Sequence, residues 1–322
     1  MKAGVSSENG LVIKDIPQPK PKPNEVLVKV KAASLNRADL NAAKGQGGHG
    51  SVGAVIGLDW AGDVIEVGNE VQGGFKPGDK VMCAGAGGYA EYAVADWGRV
   101  TPMGSGMNYE VAATLPVAVA TMHDALISNG RLKKGETVLV QGASSGVGLM
   151  ALQIAKLMGA GLVIGTSTNA GRLAKLKDFG ADLAVDTSKA NWHEEVKKAT
   201  PGGKGVNVII DQVAGPMMAG NMKCCAVLAR IVNVGRLGGG TAEFDFNLHA
   251  AQRIDYIGVT HRTRTVDELR EETSVMWKDL KDAVQSGKLH LPIDKTFPLT
   301  EAVAAQAHMK ANAHFGKVLL IP

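Results

Sequence analysis

Cysteine is scarce in this chain, aromatic rings are few, and no long apolar run occurs. Only three cysteines stand among 322 residues, two of them adjacent as Cys224 and Cys225. Three thiols cannot build a disulfide framework, so a reducing compartment is expected, and they are too few for a four-cysteine zinc lobe. Aromatic residues make up 4% of the sequence, which leaves little to stack on bases. The formal net charge is a mild +4, and a basic run such as His261, Arg262 and Arg264 is too short for a nucleic-acid stripe. No stretch approaches the roughly eighteen uninterrupted apolar residues of a membrane span. The opening MKAGVSSENG lacks the apolar core of a secretory signal. A cytoplasmic protein with neither nucleic-acid nor membrane partners is the expectation. A charged fraction of 20% beside 45% hydrophobic residues excludes a disordered chain.

What is present is length for two cores and 41 glycines without a collagen-like period. Pro17, Pro19, Pro21 and Pro23 form an extended lead-in that cannot be helix. Val26, Val28 and Val30 then alternate with Leu27, Lys29 and Lys31, as in a half-buried strand. GLDWAGDVIEVG and KPGDKVMCAG continue the short β-branched runs bounded by turn residues, the pattern of a small barrel-like β domain. Near residue 110 the character changes. NYEVAATLPVAVATMHDALI is apolar at helical spacing, and strands then alternate with helices: ETVLVQGA, GVGLMALQIAKLMGA, GLVIGTST, NAGRLAKLKDFGA, LAVDT, HEEVKKAT, VNVIIDQV, a small-residue helix and ARIVNVG. Such alternation predicts a doubly wound parallel sheet, so the fold class is α/β. A long helix around VDELREETSVMWKDLKDAVQSG and a strand KVLLIP close the chain.

The most informative segment is Val138-Leu139-Val140-Gln141-Gly142-Ala143-Ser144-Ser145-Gly146-Val147-Gly148. A buried-looking strand runs into a glycine-rich turn that opens directly into an apolar helix, as a dinucleotide site requires. Gly146 lets the backbone approach a pyrophosphate, and Gly148 lets the helix pack closely on the sheet. The helix N-terminus faces the anion. The candidate contacts are therefore Ala143, Ser144, Ser145, Gly146, Val147 and Gly148. About twenty residues later the next strand ends at Thr166-Ser167-Thr168-Asn169, followed by Arg172 and Lys175, with no acid before Asp178. An NAD site places a carboxylate there for the ribose hydroxyls, whereas hydroxyls and a guanidinium suit a 2′-phosphate. NADPH is the expected cofactor, with Ser167, Thr168, Asn169 and Arg172 at its phosphate. The alternatives are a strand-to-helix turn that binds nothing and an exposed helix charge at Arg172.

Asn24-Glu25-Val26-Leu27-Val28-Lys29-Val30, Ser34-Leu35-Asn36-Arg37-Ala38-Asp39 and Lys76-Pro77-Gly78-Asp79-Lys80-Val81 occur in that order. With Leu115-Pro116 through Thr121, the glycine motif and Gly316-Lys317-Val318-Leu319, the chain resembles the medium-chain dehydrogenase/reductase superfamily, in its zinc-independent quinone oxidoreductase branch. The resemblance implies a GroES-like catalytic domain at 1–115, a Rossmann NADPH-binding domain at 116–256, and a return to the catalytic domain at 257–322. It implies an active site in the cleft between them, and a homodimer. It also places Asn36 beside nicotinamide and substrate and Thr121 on the nicotinamide ribose or amide, with Arg37 and Asp39 as neighbours. Further cofactor contacts fall on Gln212-Val213-Ala214, on Val234-Gly235-Arg236 and on Phe315. Turn formation is the structural alternative for Asn36, and helix capping for Asp39.

Zinc-dependent members of the superfamily carry a catalytic cysteine at the position of Asn36 and Gly-His-Glu at the position of Gly57-Leu58-Asp59. Cys83 lies in a strand-like run and Cys224-Cys225 in a helix-like one, so no metal is expected, and His123 and His314 read as packing or surface residues. Without an electrophilic metal, the implied chemistry is hydride transfer from NADPH to a quinone or an activated α,β-unsaturated carbonyl. Two departures qualify this. The loop Gly45-Gln46-Gly47-Gly48-His49-Gly50 lacks the tyrosine that lines many quinone pockets, and a second tyrosine is replaced around Asp186-Thr187. The glycine-rich loop is an alternative lid. Rival readings are an enoyl or alkenal double-bond reductase without quinone activity, and a nucleotide-binding protein without turnover. Arg262 and Arg264 either reach the phosphate or the cleft, or are solvated.

Overall fold

The computed structural model describes residues 1–46 and 50–322. The lid expected of the glycine-rich loop falls on Gly47, Gly48 and His49, which lie outside the described residues. The chain opens with a hairpin, β1 (Lys2–Ser7) and β2 (Gly10–Asp15), joined by the two-residue turn Glu8-Asn9, with Gly10 at φ 111° where β2 begins. β3 (Glu25–Ser34), α1 (Arg37–Ala42), β4 (Asp59–Val67), β5 (Lys80–Ala84), β6 (Tyr92–Asp96) and β7 (Val100–Pro102) follow, then α2 (Tyr109–Ala113) and α3 (Pro116–His123). Next come β8 (Thr137–Gln141), α4 (Gly146–Leu157), β9 (Leu162–Ser167), α5 (Ala170–Leu173), β10 (Leu183–Asp186), α6 (Trp192–Ala199) and β11 (Val206–Asp211). α7 (Met218–Cys224), β12 (Cys225–Asn233), α8 (Phe246–Gln252) and β13 (Asp255–Gly258) complete the alternating part. The chain closes with α9 (Val266–Gln285), β14 (Ile293–Pro298), α10 (Ala302–Lys310) and β15 (Lys317–Ile321).

Two compact units result. One comprises Met1–Ala120 with His261–Pro322, the other Thr121–Thr260. In the first, a seven-stranded sheet runs β14-β15-β3-β4-β5-β7, with β6 also paired to β3. The long strand β3 divides its free edge. Its first half pairs with β6, and its last residues pair with β15, which sets Ser34 between Leu319 of β15 and Asp59 of β4. Val26, Val28, Val30, Trp60, Val64 and Val81 pack with Val318 and Leu320 and with Ala302, Ala305 and Met309 of α10. Leu27 is buried as well, so the strand read as half-buried is covered on both faces there. Each such side chain removed from water contributes about 1.5–3 kcal/mol.

In the second unit six parallel strands run β10-β9-β8-β11-β12-β13. This is the doubly wound order 3-2-1-4-5-6, in which the direction of winding reverses between β8 and β11 and ligands meet the carboxyl ends of the strands. Leu149, Leu152 and Ile154 of α4 are fully buried, as the apolar helix pattern requires. Two local expectations change. The helix read across 169–181 is instead the short α5 and a separate 3₁₀ turn, Leu176–Phe179, with Gly171 weakening helix propagation and Leu176 the only fully buried anchor. Cys224 ends α7 but Cys225 begins β12, because the β-branched run after it continues the sheet.

Within β12, Leu228 holds a left-handed backbone (φ 64°) while its side chain is exposed. That conformation costs a residue with a Cβ roughly 1–2 kcal/mol, and an exposed leucine recovers little by packing. Leu228→Gly is expected to stabilise the protein by up to about 1 kcal/mol in urea unfolding, after the flexibility glycine adds to the unfolded chain. A variant less stable than its parent refutes the strain.

Candidate active site

Three adjacent strands of the first unit deliver one polar cluster, with Asp59 and Lys317 buried and Asn36 half-buried. Asn36 follows β3, Asp59 begins β4 and Lys317 begins β15. Asn36 stands at the N-cap of α1 with extended backbone (φ −123°, ψ 153°), and its carboxamide bonds two residues from other strands. Its Nδ2 donates to Asp59 Oδ2 (2.9 Å), and its Oδ1 accepts from Lys317 Nζ (3.0 Å). Lys317 Nζ also donates to Asp59 Oδ2 (2.8 Å), closing a ring of three hydrogen bonds. The other carboxylate oxygen of Asp59 accepts from the backbone N–H of Val117 (2.7 Å), in the first turn of α3, where the helix dipole favours negative charge. Asp59 is fully buried and Lys317 nearly so.

Asp39, one turn into α1, sits in a second polar pair. Its Oδ2 accepts from the Asn36 backbone N–H (2.8 Å) and from the Tyr89 hydroxyl (2.9 Å), while Oδ1 is buried without a hydrogen-bond partner among the described residues. Complete burial pushes its carboxyl up to about 7, against the lowering effect of those two donors and of Lys317. Asp59 nearby raises it further. Asp39 therefore caps α1 and also places a readily protonated acid beside Asn36. Arg37 instead donates to Asn312 Oδ1 (2.6 Å) in the loop before β15.

In the second unit the turn after β8 has the geometry its glycines require. Gly142 adopts φ 67°, and a Cβ on Gly148 would lie 2.6 Å from the Gly142 carbonyl oxygen, so only glycine lets α4 start this close to the strand. Ser145 caps α4: its Oγ accepts from Gly148 N–H (3.1 Å) and lies 2.9 Å from both the Gly142 carbonyl and Gln212 Oε1. Ala143 is buried and bonds Thr166 of β9, whereas Ser144, Gly146 and Val147 are partly exposed above it. Ser144 Oγ is 3.2 Å from Ser167 Oγ at the end of β9. Thr168 is exposed, and Asn169 caps α5 by accepting from the Arg172 N–H (3.0 Å). Beside them, Asp186 stands opposite Ser167 in the β10–β9 register, and two donors from Ser188 hold its carboxylate below the usual range.

At the carboxyl ends of β11 and β12, the buried Asp211 gathers the loop backbones. Its Oδ1 accepts from Val213 and Ala214, and its carbonyl accepts from Val234 and Gly235. Burial raises its carboxyl despite these bonds. Ala143 to Gly148, Ser167, Val213, Val234 and Gly235 thus share the carboxyl edge of one sheet, with Arg236 exposed just beyond. Thr121 lies on α3, and Phe315 belongs to the first unit, where its N–H donates to Asp294 Oδ1 (3.1 Å). His261 and Arg264 both bond the buried Glu272, at 2.7 and 2.5 Å, so Arg264 is a structural ion pair.

Sequence reasoning missed Asp59 and Lys317 as site residues. A lysine starting an otherwise apolar strand was the available signal for Lys317, whereas Asp59 begins a strand that also carries Asp63 and Glu66 and so does not stand out. It also missed Gln141, Thr166 and Asn221, which support the glycine turn from below through Thr166 Oγ1 to Gln141 Oε1 (2.7 Å) and Gln141 Nε2 to Asn221 Oδ1 (2.7 Å).

The residues at the superfamily's zinc positions do not fit a zinc ion. Leu58 offers no lone pair, and both oxygens of Asp59 are engaged, one of them by an ammonium. Burial pushes the thiols of Cys83 and Cys224 up to about 12 and raises that of Cys225 well above its ordinary value, which disfavours the thiolate a metal takes.

Because Asp39 binds its proton more tightly folded than unfolded, the native state should lose stability as pH rises from about 4 to about 7. The unfolded chain releases the proton at its ordinary value of 3.8, the folded one at about 7. The full effect is on the order of 4 kcal/mol. Asp39→Asn is expected to abolish most of this dependence between pH 5 and pH 8, as followed by denaturant midpoints. Parallel pH curves for parent and variant refute it.

A family model for zinc-binding dehydrogenases matches residues 146–278, and one for the alcohol dehydrogenase GroES-like domain matches residues 22–105. Quinone oxidoreductase of Mus musculus is 30% identical over 314 residues, covering 95% of this chain and 92% of that protein. Among solved structures, a quinone oxidoreductase of Pseudomonas syringae is similar with a TM-score of 0.88 at 27% identity, covering all of both chains. An NAD-dependent alcohol dehydrogenase is similar with a TM-score of 0.83 at 28% identity, again covering all of both chains. No helix among the described residues is long and apolar enough to cross a membrane. With both halves of the architecture matched and the likeness running the length of the sequence, the chain belongs to the medium-chain dehydrogenase/reductase superfamily, in its quinone oxidoreductase-like branch, and is an oxidoreductase.

Proposed function

We propose that this oxidoreductase transfers a hydride from NADPH to a quinone or an activated α,β-unsaturated carbonyl, without zinc. The observation that carries the reading is the polar cluster of Asn36, Asp59 and Lys317, which sets amide and ammonium donors where a metal centre would need open ligands. Hydride arriving at the acceptor carbon leaves negative charge on the acceptor's oxygen, and fixed N–H donors in a low-dielectric site stabilise it. One proton then completes the product, a hydroquinone or a saturated carbonyl, with NADP⁺ released. Asn36 is the residue assigned to that oxygen, with Thr121 on the nicotinamide side and Asp39 as a neighbouring acid; Arg37, bonded to Asn312, acts on the loop rather than on the acceptor.

The Thr121–Thr260 unit is assigned the nucleotide. Bound there, NADPH supplies the hydride. The α4 N-terminus and Ala143 to Gly148 would hold its pyrophosphate, Val213, Val234, Gly235 and Arg236 would flank it, and Phe315 is assigned a further contact. Ser167, Thr168, Asn169 and Arg172 are assigned the 2′-phosphate. Asp186 opposes this preference, since its carboxylate lies one strand from Ser167. The absence of a tyrosine or other large aromatic residue from positions 45–50 of the sequence favours small enones over large planar quinones as a second reading. The working protein is read as a cytoplasmic homodimer.

Titrated by fluorescence, the protein is expected to bind NADPH more tightly than NADH, and Arg172→Glu to reverse that order; equal affinities in the parent defeat the phosphate assignment. Side-by-side assays with 1,4-benzoquinone and 2-cyclohexen-1-one are expected to show NADPH oxidation with at least one. Turnover of the enone alone selects the double-bond reductase. No turnover with either acceptor defeats the assignment of hydride transfer.

A further inference from the structure

Lys317 is unusual for a lysine. It begins β15 directly before Val318, Leu319 and Leu320, all fully buried, and is itself only 4% exposed. Its position is built. Gly316 before it adopts φ 90°, and a Cβ there would come within 2.1 Å of the Pro292 carbonyl oxygen, the same atom that accepts the Lys317 backbone N–H at 2.9 Å. Taking an ammonium and a carboxylate out of water costs several kcal/mol per ion, and apolar residues of similar volume often serve stability as well or better. Packing alone therefore gives no reason for this pair.

What the pair does is choose an orientation. The two ends of a carboxamide are nearly equal in shape, so an asparagine can turn over unless its partners differ in kind. Here they differ fully. An ammonium, which only donates, faces Asn36 Oδ1, and a carboxylate, which only accepts, faces Nδ2. Turned over, the amide would set N–H against N–H and oxygen against oxygen. With one N–H spent on Asp59, the second is left in the amide plane with its direction fixed by the other two bonds.

We propose that Lys317 is a positioning residue whose ammonium locks the carboxamide of Asn36 in one orientation and so aims one Asn36 N–H at the acceptor's oxygen. The inference rests on the assignment of Asn36 to that oxygen. Asp59 completes the lock, and the ammonium polarises the amide it touches, strengthening the remaining N–H as a donor. Oxygen gains charge as hydride arrives, so the lock acts on kcat more than on KM.

Lys317→Met leaves Asp59 buried without its counter-ion and invites unfolding, so the main variant is Asp59→Asn combined with Lys317→Met, which removes both charges at near-constant volume. Steady-state assays use NADPH with 1,4-benzoquinone and 2-cyclohexen-1-one, and NADPH affinity is titrated separately by fluorescence. The double variant is expected to fold, to bind NADPH within about twofold of the parent, and to lose roughly tenfold or more in kcat with a smaller change in KM. In an Asn36→Ala background the same pair of substitutions is expected to cost less than about twofold further, because the group it orients is gone. A double variant with parental kcat overturns the proposal, as does a full multiplicative loss on top of Asn36→Ala. If Asn36→Ala itself keeps parental kcat, the assignment of Asn36 falls, and the role of Lys317 falls with it.

Discussion

The ion pair between Lys317 and Asp59 ties together the parts of the first unit that carry its chemistry. It joins the strand nearest the C-terminus to a strand from the first quarter of the chain, with Asn36 at the end of the strand between them. Buried charge at this depth tolerates no vacancy, because removing one partner leaves the other without water or counter-ion. The returning segment His261–Pro322 is thus an integral part of the first unit. Gly316 is bound into the same constraint, since a side chain there would displace the backbone that sets Lys317 in place.

The second unit meets a different demand with different means. Its site is made of backbone: a left-handed glycine, a helix begun close to a strand, and loop N–H groups gathered by the buried carboxylate of Asp211. Polar side chains below the turn bond each other through Gln141, Thr166 and Asn221, so the groups that could compete for a ligand are already satisfied. Backbone N–H groups and a helix dipole suit a dinucleotide phosphate of any kind, since neither reads the rest of the ligand.

The glycine turn was legible because its chemistry is local. Strand, turn and helix follow within one stretch of chain, and glycine at 142 and 148 is the residue that such a turn demands. Asn36 stood out through its motif as a candidate, but the partners of its carboxamide did not, since Asp59 and Lys317 are remote in sequence. Local reading also failed where neighbours rather than propensity decide the conformation. The helix read through residues 169–181 breaks after α5, and Cys225 joins a strand because it pairs with Val206 of β11.

From the amino-acid sequence alone came the α/β class, the alternation that makes a parallel sheet, the glycine-rich turn and the lack of cysteines at zinc-ligand spacing. These follow from periodicity, from glycine at fixed spacing and from residue type, all of which are carried by short stretches of chain. Tertiary structure alone decided that a lysine of the last strand should face Asn36, that Asp39 should hold its proton up to about 7, and that Arg264 should serve Glu272. Each of these depends on which strands lie side by side and on how completely water is excluded, and sheet register and burial are properties of the folded chain.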